Sequence, residues 1–185
     1  LRTVRTDEQP LKAQLEKIPQ LKPAFKESGT VTAANASSIS DGGAAVVLMR
    51  NSEALTRGIK PLAKIISHVS HSQEPSEFTM APIGAIEKLM SKADWKISEV
   101  DLFEINEAFA VVPMASIQTL GIDHSIVNIN GGACALGHPI GCSGARIIVT
   151  LLSALQNNNL NRGVASLCIG GGEATALAVE LIVAS

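Results

Sequence analysis

The sequence predicts an α/β protein in which a mixed five-stranded sheet is covered by helices. Apolar runs of strand length alternate with amphipathic stretches of helix length, which is typical of layered α/β domains. Charged residues make up only 17% of the chain and the mean hydropathy is +0.25, so much of the chain is expected to be buried. With 185 residues the chain is long enough for one domain of ordinary size.

The first 28 residues differ in character from the remainder. Pro10, Pro19 and Pro23 interrupt any long helix there. We therefore predict that residues 1–28 are the tail of a loop-rich segment and that residues 29–185 form the regular domain.

Apolar runs that are candidates for the strands lie at 44–49, 62–69, 100–105, 126–129, 164–169 and 174–179. The first is unbroken, as expected of a strand that is covered on both faces. Gly170–Gly172 leaves only a short turn between the last two runs, so these two strands are predicted to be antiparallel.

Helix signals fall between the candidate strands. Asn51 is a candidate cap for a short helix that Gly58 ends, and Pro82 suits the first turn of a helix that reaches Ala93. Two further helices are predicted at 108–120, where Gly121 stops the helix, and at 143–155.

Composition excludes several classes of protein. The net charge is −2 and aromatic residues make up 3%, so neither a basic surface nor stacking side chains are available for nucleic acid. No apolar run approaches the ~20 residues that span a bilayer, and no signal peptide is visible at the start. The three cysteines are odd in number, which favours reduced thiols inside the cell, and we expect a cytoplasmic protein.

Three polar or glycine-rich turns follow apolar runs. The first is Phe103–Phe109, where Glu104, Asn106 and Glu107 come at the end of a strand. Taken alone, this turn fits a simple helix start, in which Asn106 or Glu107 caps the helix and Glu104 is solvated.

The second turn, Gly131–Gly144, surrounds His138 with five glycines. Pro139 biases His138 towards extended backbone, and a neutral imidazole held at a helix entrance suits general-base work near pH 7. A purely structural histidine is the alternative. A phosphate loop lacks its Gly-Lys-Ser/Thr ending, and zinc lacks a fourth ligand beside Cys134, His138 and Cys142, so no metal is expected.

The third turn is Cys168–Gly172. A thiol that exchanges protons beside glycine amides that stabilise an oxyanion would suit acyl transfer. A buried, inert cysteine beside a hairpin is the alternative.

Together these turns resemble the thiolase family, in its biosynthetic acetyl-CoA C-acetyltransferase branch. Asn106–Phe109 resembles the NEAF motif, Gly137–Gly144 the GHPxGxSG motif, and Cys168–Gly172 the CxGGG motif. The segment 34–42 is similar to the family's NAS…DG segment. The resemblance implies the C-terminal half of the layered thiolase fold.

The resemblance also implies roles for individual residues. His138 would activate a nucleophilic cysteine, and Cys168 would move the α-proton of acetyl-CoA. Asn106, through a water, would complete one oxyanion hole with His138, and the amide of Gly170 would contribute to the other. Residues that would contact the pantetheine arm or wall the acyl pocket are Ala33, Ala36, Ser37, Ala108 and Phe109.

The implied reaction interconverts two acetyl-CoA with acetoacetyl-CoA and CoA, with no cofactor beyond the coenzyme A thioester as substrate. The family's nucleophilic cysteine belongs to an N-terminal half that these residues do not match, so we expect the chain to pair with that half and to be inactive alone. A homo-oligomer, dimer or tetramer, is implied. Lys12 is a candidate substitute for the arginine that relatives place near the CoA adenine.

Two alternatives remain open at this point. One is another condensing enzyme of the same superfamily, which would typically use His-His or His-Asn partners where this chain has Cys168. The other is a non-catalytic remnant that only binds CoA or a partner.

Overall fold

The computed structural model describes residues 3, 5–7 and 13–182. A mixed sheet runs through it in the order β1-β4-β3-β2. The strands are β1 (Ala63–Ser72), β2 (Leu102–Ile105), β3 (Arg162–Ile169) and β4 (Glu173–Leu181). The pairs β1–β4 and β3–β4 are antiparallel, as the short glycine turn predicts, whereas β2 and β3 are parallel. The mixed sheet covered by helices is confirmed, but it has four strands rather than five.

The strand predicted at 44–49 is wrong. This segment carries no strand pairing, and Val47 and Leu48 are 84% and 71% exposed. A strand requires a neighbour that accepts and donates its backbone hydrogen bonds, and no segment among residues 13–182 takes that place. The segment therefore has the apolar pattern of a buried strand but lacks the backbone hydrogen bonds to a neighbouring strand.

The strand predicted at 126–129 is also wrong. A 3-10 turn, His124–Ile126, occupies its start, and Val127 forms only an isolated bridge with Phe103. Asn128 then adopts a left-handed backbone with φ of 50°, which ends any extended run.

Five α-helices accompany the sheet in the described residues: α1 (Asn51–Thr56), α2 (Ala81–Ala93), α3 (Val111–Leu120), α4 (Ala133–Leu136) and α5 (Ser143–Asn157). Short 3-10 helices lie at Leu15–Gln20, Pro75–Met80, Ile97–Glu99 and His124–Ile126. Pro82 sits in the first turn of α2 and Gly121 caps α3 with φ of 66°, as the sequence predicts.

Two helix starts differ from expectation. Asn51 is the first residue of α1 rather than its cap, because Arg50 occupies the cap position without a side-chain bond. Helix α3 begins at Val111, three residues later than predicted, because residues 108–110 hydrogen-bond instead with an earlier segment of the chain. The short helix α4 lies inside the glycine-rich turn and has no counterpart in the prediction.

The sheet separates two hydrophobic cores. Alternate residues of a strand point to opposite faces, so Phe103 and Ile105 pack with α2 and α3, whereas Leu102 packs with α5. Gly163 allows the closest approach on the α5 side, because a Cβ there would lie 2.8 Å from Leu151 Cδ1.

An extended segment, residues 35–39, lies against residues 108–110 and against the histidine turn. Ser37 N donates to Ala108 O at 3.2 Å, and His138 N donates to Ser38 O at 2.8 Å. This segment therefore ties the start of α3 to the histidine turn. The division predicted at residues 28 and 29 stays a prediction. No helix of the described residues has both the length and the apolar character needed to cross a membrane.

Candidate active site

The site is built on the carboxyl end of the parallel pair β2–β3. Asn106 follows β2 directly, and its backbone N–H donates to Ser166 O on β3 at 2.9 Å. This bond continues the ladder one residue beyond the strand and leaves Asn106 only 1% exposed. The residue is therefore held by the sheet and not by a loose turn.

The carboxamide of Asn106 meets the imidazole of His138. Asn106 Nδ2 lies 3.3 Å from His138 Nε2, although 32 residues separate them along the chain. On the other side of the ring, His138 Nδ1 lies 2.6 Å from Ser143 Oγ, at the first turn of α5. Ser143 Oγ also donates to Pro139 O at 3.1 Å. Both ring nitrogens are thus occupied, which fixes the ring's orientation.

The environment favours the neutral form of the imidazole. Burial lowers the pKa of His138 below its usual 6.5, and the positive charge of Arg146 lowers it further. A neutral ring at physiological pH can accept a proton, which is what a general base requires.

Cys168 lies on β3, two residues beyond Ser166, at the same edge of the sheet as Asn106. Its side chain is buried, and this burial raises the pKa of the thiol above 9.0. In the described part of the chain no hydrogen bond joins Cys168 Sγ to the His138 ring. The structure therefore brings Asn106 and His138 into contact and places Cys168 on the adjoining strand end.

Gly170 lies in the exposed turn between β3 and β4, and a Cβ there would meet nothing within 4 Å. The shape of this turn depends on Gly172, which has φ of 94° and whose Cβ would come 2.4 Å from Gln73 O. The turn thus requires glycine at its last position rather than at Gly170.

The residues predicted to contact the pantetheine gather around the start of α3. Ser37 Oγ donates to Ala108 O at 2.9 Å, and Ala36 forms an antiparallel bridge with Phe109. The Phe109 ring makes edge contacts with Phe25 at 5.7 Å and with Phe78 at 6.2 Å. Ala33 lies exposed in the turn that precedes this segment. Lys12 lies outside the described residues.

A buried ion pair stands behind Asn106, and the sequence analysis missed its role. Arg146, on α5, donates through Nη2 to Asn106 Oδ1 at 3.3 Å, while its Nη1 lies 3.5 Å from Glu104 Oε2. Glu104 is only 2% exposed, so the expectation of a solvated carboxylate is wrong. Burial raises the pKa of Glu104 from 4.5 to about 7, Arg146 opposes the rise, and the charge of Glu107 adds to it.

Glu107 organises the glycine-rich turn rather than capping α3. Its carboxylate accepts from Cys134 N at 3.0 Å and from Asn128 Nδ2 at 3.1 Å. Gly132 is required here, because a Cβ would lie 2.3 Å from the Glu107 carboxyl carbon. Helix α3 has no side-chain cap.

The thiol of Cys134 shares this environment with Glu107. Burial and then the charge of Glu107 raise the pKa of Cys134 to about 11. Within residues 3, 5–7 and 13–182, no three His, Cys, Asp or Glu side chains are placed to hold a metal ion.

Comparisons with known proteins identify the family to which this sequence is similar. The family model described as "Thiolase, C-terminal domain" matches residues 59–181, and "Thiolase, N-terminal domain" matches residues 2–52. The chain is 56% identical over 174 residues to the "Probable acetyl-CoA acetyltransferase" of Dictyostelium discoideum, which covers 94% of the chain and 42% of the relative. It is 51% identical over 183 residues to "Acetyl-CoA acetyltransferase, cytosolic" of Mus musculus, covering 97% of the chain and 46% of the relative.

A solved structure is similar over nearly the whole chain. The crystal structure of the Bacillus anthracis acetyl-CoA acetyltransferase superposes with a TM-score of 0.92 at 42% identity, covering 98% of this chain and 48% of that one. The chain thus spans less than half the length of the relatives it matches.

The mixed sheet covered by helices defines an α/β protein of layered architecture. The thiolase family model matches residues 59–181, which is more than half of the chain. The chain therefore belongs to the thiolase family.

Proposed function

We propose that this chain supplies the acid–base and oxyanion-stabilising groups of a thiolase that interconverts two acetyl-CoA with acetoacetyl-CoA and CoA. The observation that carries the proposal is the contact of 3.3 Å between Asn106 Nδ2 and His138 Nε2 at the end of β2. The names of the relatives support the choice of acetyl-CoA as substrate.

The groups gathered at this site suit the proton movements of a Claisen condensation. His138 Nε2 takes the proton of a nucleophilic thiol, whose sulfur then accepts an acetyl group from acetyl-CoA and releases CoA. The departing CoA thiolate takes the proton of Cys168, and the Cys168 thiolate then takes an α-proton from a second acetyl-CoA. The resulting carbanion forms a C–C bond to the acetyl carbonyl as the C–S bond to the enzyme breaks, and His138 returns its proton to the released enzyme thiolate. Negative charge builds on the thioester oxygens, where Asn106, the protonated His138 and the Gly170 amide would act.

The three thiols of this chain do not fit the nucleophile's role. The thiolate is the attacking form, and burial raises the pKa of Cys134 to about 11 and that of Cys168 above 9.0. Cys142 is buried at the position that precedes the first residue of α5. We therefore propose that the nucleophile lies outside these 185 residues and that the chain alone does not turn over.

The experiment joins the chain to the N-terminal half of a relative. The 185 residues replace the matching segment of the Dictyostelium relative, whose preceding half would carry the nucleophile, and CoA-dependent loss of acetoacetyl-CoA is measured. We expect turnover by the chimera, none by the 185 residues alone, and loss of turnover in the chimera with His138→Gln.

The matched control is His124→Gln, a change of the same type at an exposed histidine in the turn after α3. A folded chimera that binds CoA without turnover would favour the non-catalytic alternative. Turnover by the 185 residues alone would overturn the assignment of the nucleophile. A cytoplasmic location and a homo-oligomer remain parts of this proposal.

A further inference from the structure

A continuous line of polar contacts runs from Glu104 to the backbone of the histidine turn. Its members are the Glu104 carboxylate, the Arg146 guanidinium, the Asn106 carboxamide, the His138 imidazole, the Ser143 hydroxyl and Pro139 O. Glu104, Asn106 and Ser143 are buried, so water does not offer these groups free alternatives.

The hydrogen-bond direction of this line is fixed at its arginine end, and the carbonyl at its other end is compatible with that direction. An arginine side chain only donates hydrogen bonds, and a peptide carbonyl only accepts them. Arg146 Nη2 must therefore donate to Asn106 Oδ1, which turns Asn106 Nδ2 towards the ring as a donor. At the other end Pro139 O can accept the single proton of Ser143 Oγ at 3.1 Å, which leaves Ser143 Oγ free to accept from the ring.

The histidine between these ends then has one consistent tautomer. Its Nε2 faces the Nδ2 donor of Asn106 and must accept, while its Nδ1 carries the proton and donates to Ser143 Oγ. In the opposite tautomer, Nε2–H would require Asn106 to present Oδ1, and the amide nitrogen would then face Arg146, donor against donor.

We propose that Arg146 is a positioning residue that sets the tautomer of His138 through Asn106 and keeps Nε2 as the proton acceptor. Arg146 contacts Asn106 and Glu104 and is not proposed to touch the reacting atoms. Glu104 holds the guanidinium at the back of the site at 3.5 Å.

The consequence for catalysis depends on the proposed function, whereas the hydrogen-bond direction does not. A general base needs a lone pair that points at the acidic proton, and a ring fixed with Nε2–H cannot accept there. Loss of Arg146 should therefore affect the rate of chemistry more than the binding of the thioester.

The test is nitrogen NMR of the histidine rings in the full 185-residue chain, because a protonated and a bare ring nitrogen resonate far apart. The chain has four histidines, and His138→Gln assigns the signals by their loss. In the unchanged chain above the pKa of His138, we expect a protonated Nδ1 and a bare Nε2.

Arg146→Gln should move both nitrogens of His138 towards averaged values, and Arg146→Lys, which keeps a donor and a charge, should restore most of the original pattern. Asn106→Ala should give the same averaging, and adding it to Arg146→Gln should produce no further change. The control is Arg162→Gln, which removes two half-buried ion pairs, with Glu99 and Glu180, at the opposite end of β3 and should leave the His138 signals unchanged.

Should Arg146→Gln fail to fold, folded Asn106→Ala decides the matter, because an unaltered His138 pattern in that variant alone would then overturn the proposal. A bare Nδ1 in the unchanged chain, or an unaltered His138 pattern in both folded Arg146→Gln and Asn106→Ala, would overturn the proposal. A correct NMR pattern in a chain whose chimera has no turnover would overturn the proposed function and leave the role of Arg146 intact.

Discussion

The buried carboxyl of Glu104 gives a stability prediction that can be measured without any substrate. Its pKa rises from 4.5 to about 7 on folding, chiefly through burial. Because the folded state holds the proton more tightly than the unfolded chain, the contribution of Glu104 to the free energy of unfolding falls as the pH rises through this range. Glu104→Gln removes the titration while keeping the size of the side chain.

The magnitude follows from the two pKa values. Each pKa unit is worth about 1.4 kcal/mol, so ionisation of Glu104 costs the fold about 3 kcal/mol in total. Part of this cost is already present at pH 5, where the unfolded carboxyl is largely ionised, and about 2.5 kcal/mol is added between pH 5 and pH 8. Such a cost exceeds what an ordinary surface carboxylate contributes.

The assay is urea unfolding, followed by the fluorescence of Trp95, the chain's one tryptophan. The unchanged chain and Glu104→Gln are compared at both pH values, so that titrations common to both chains cancel. We expect the difference in free energy of unfolding between the two chains to move in favour of the variant by about 2.5 kcal/mol from pH 5 to pH 8. An equal difference at the two pH values would refute a raised pKa for Glu104.

Two further predictions concern the turns. Gly137→Ala should destabilise the chain by about 1–3 kcal/mol, because Gly137 has φ of 92° and a Cβ there would lie 2.1 Å from Ser40 Oγ. The control is Gly141→Ala, where a Cβ would meet nothing within 4 Å, and it should change the free energy of unfolding little in the same urea assay. Alkylation of Cys168 by iodoacetamide, followed by mass spectrometry under native conditions, should still accelerate above pH 9.0, because burial raises the pKa of its thiol. A rate that levels off below that pH would contradict this. Cys134, whose pKa rises to about 11, should likewise still accelerate above pH 9.0.

Local signals predicted the sheet and its main helices well. The parallel and antiparallel strands carry their own periodicity, and Pro82 and Gly121 mark helix ends through backbone geometry that neighbours do not change. The failure at 44–49 has the opposite cause. Its apolar pattern suits a strand, but pairing depends on a neighbour, and that information does not reside in the segment.

The residues of the site also fall into two groups, those that the sequence indicates and those that only the fold identifies. Asn106, His138 and Cys168 stand out because their turns combine reactive side chains with glycine. Glu104 and Arg146 do not stand out, since a charged residue within an apolar strand or on a helix is equally compatible with solvent. Only the fold shows that Glu104 points towards α5 rather than outward, and that Arg146, three residues after Ser143 on that helix, reaches Asn106.

We propose that three groups distant in sequence meet around one thioester, and a crystal structure of the chimera with acetyl-CoA would show whether they do. We expect the thioester oxygen within hydrogen-bond reach, about 3 Å, of His138 Nε2 or of a water on Asn106, with the methyl carbon facing Cys168 Sγ. An acetyl group that lies elsewhere on the protein, with His138 and Asn106 contacting no part of it, would show that these groups do not form one site.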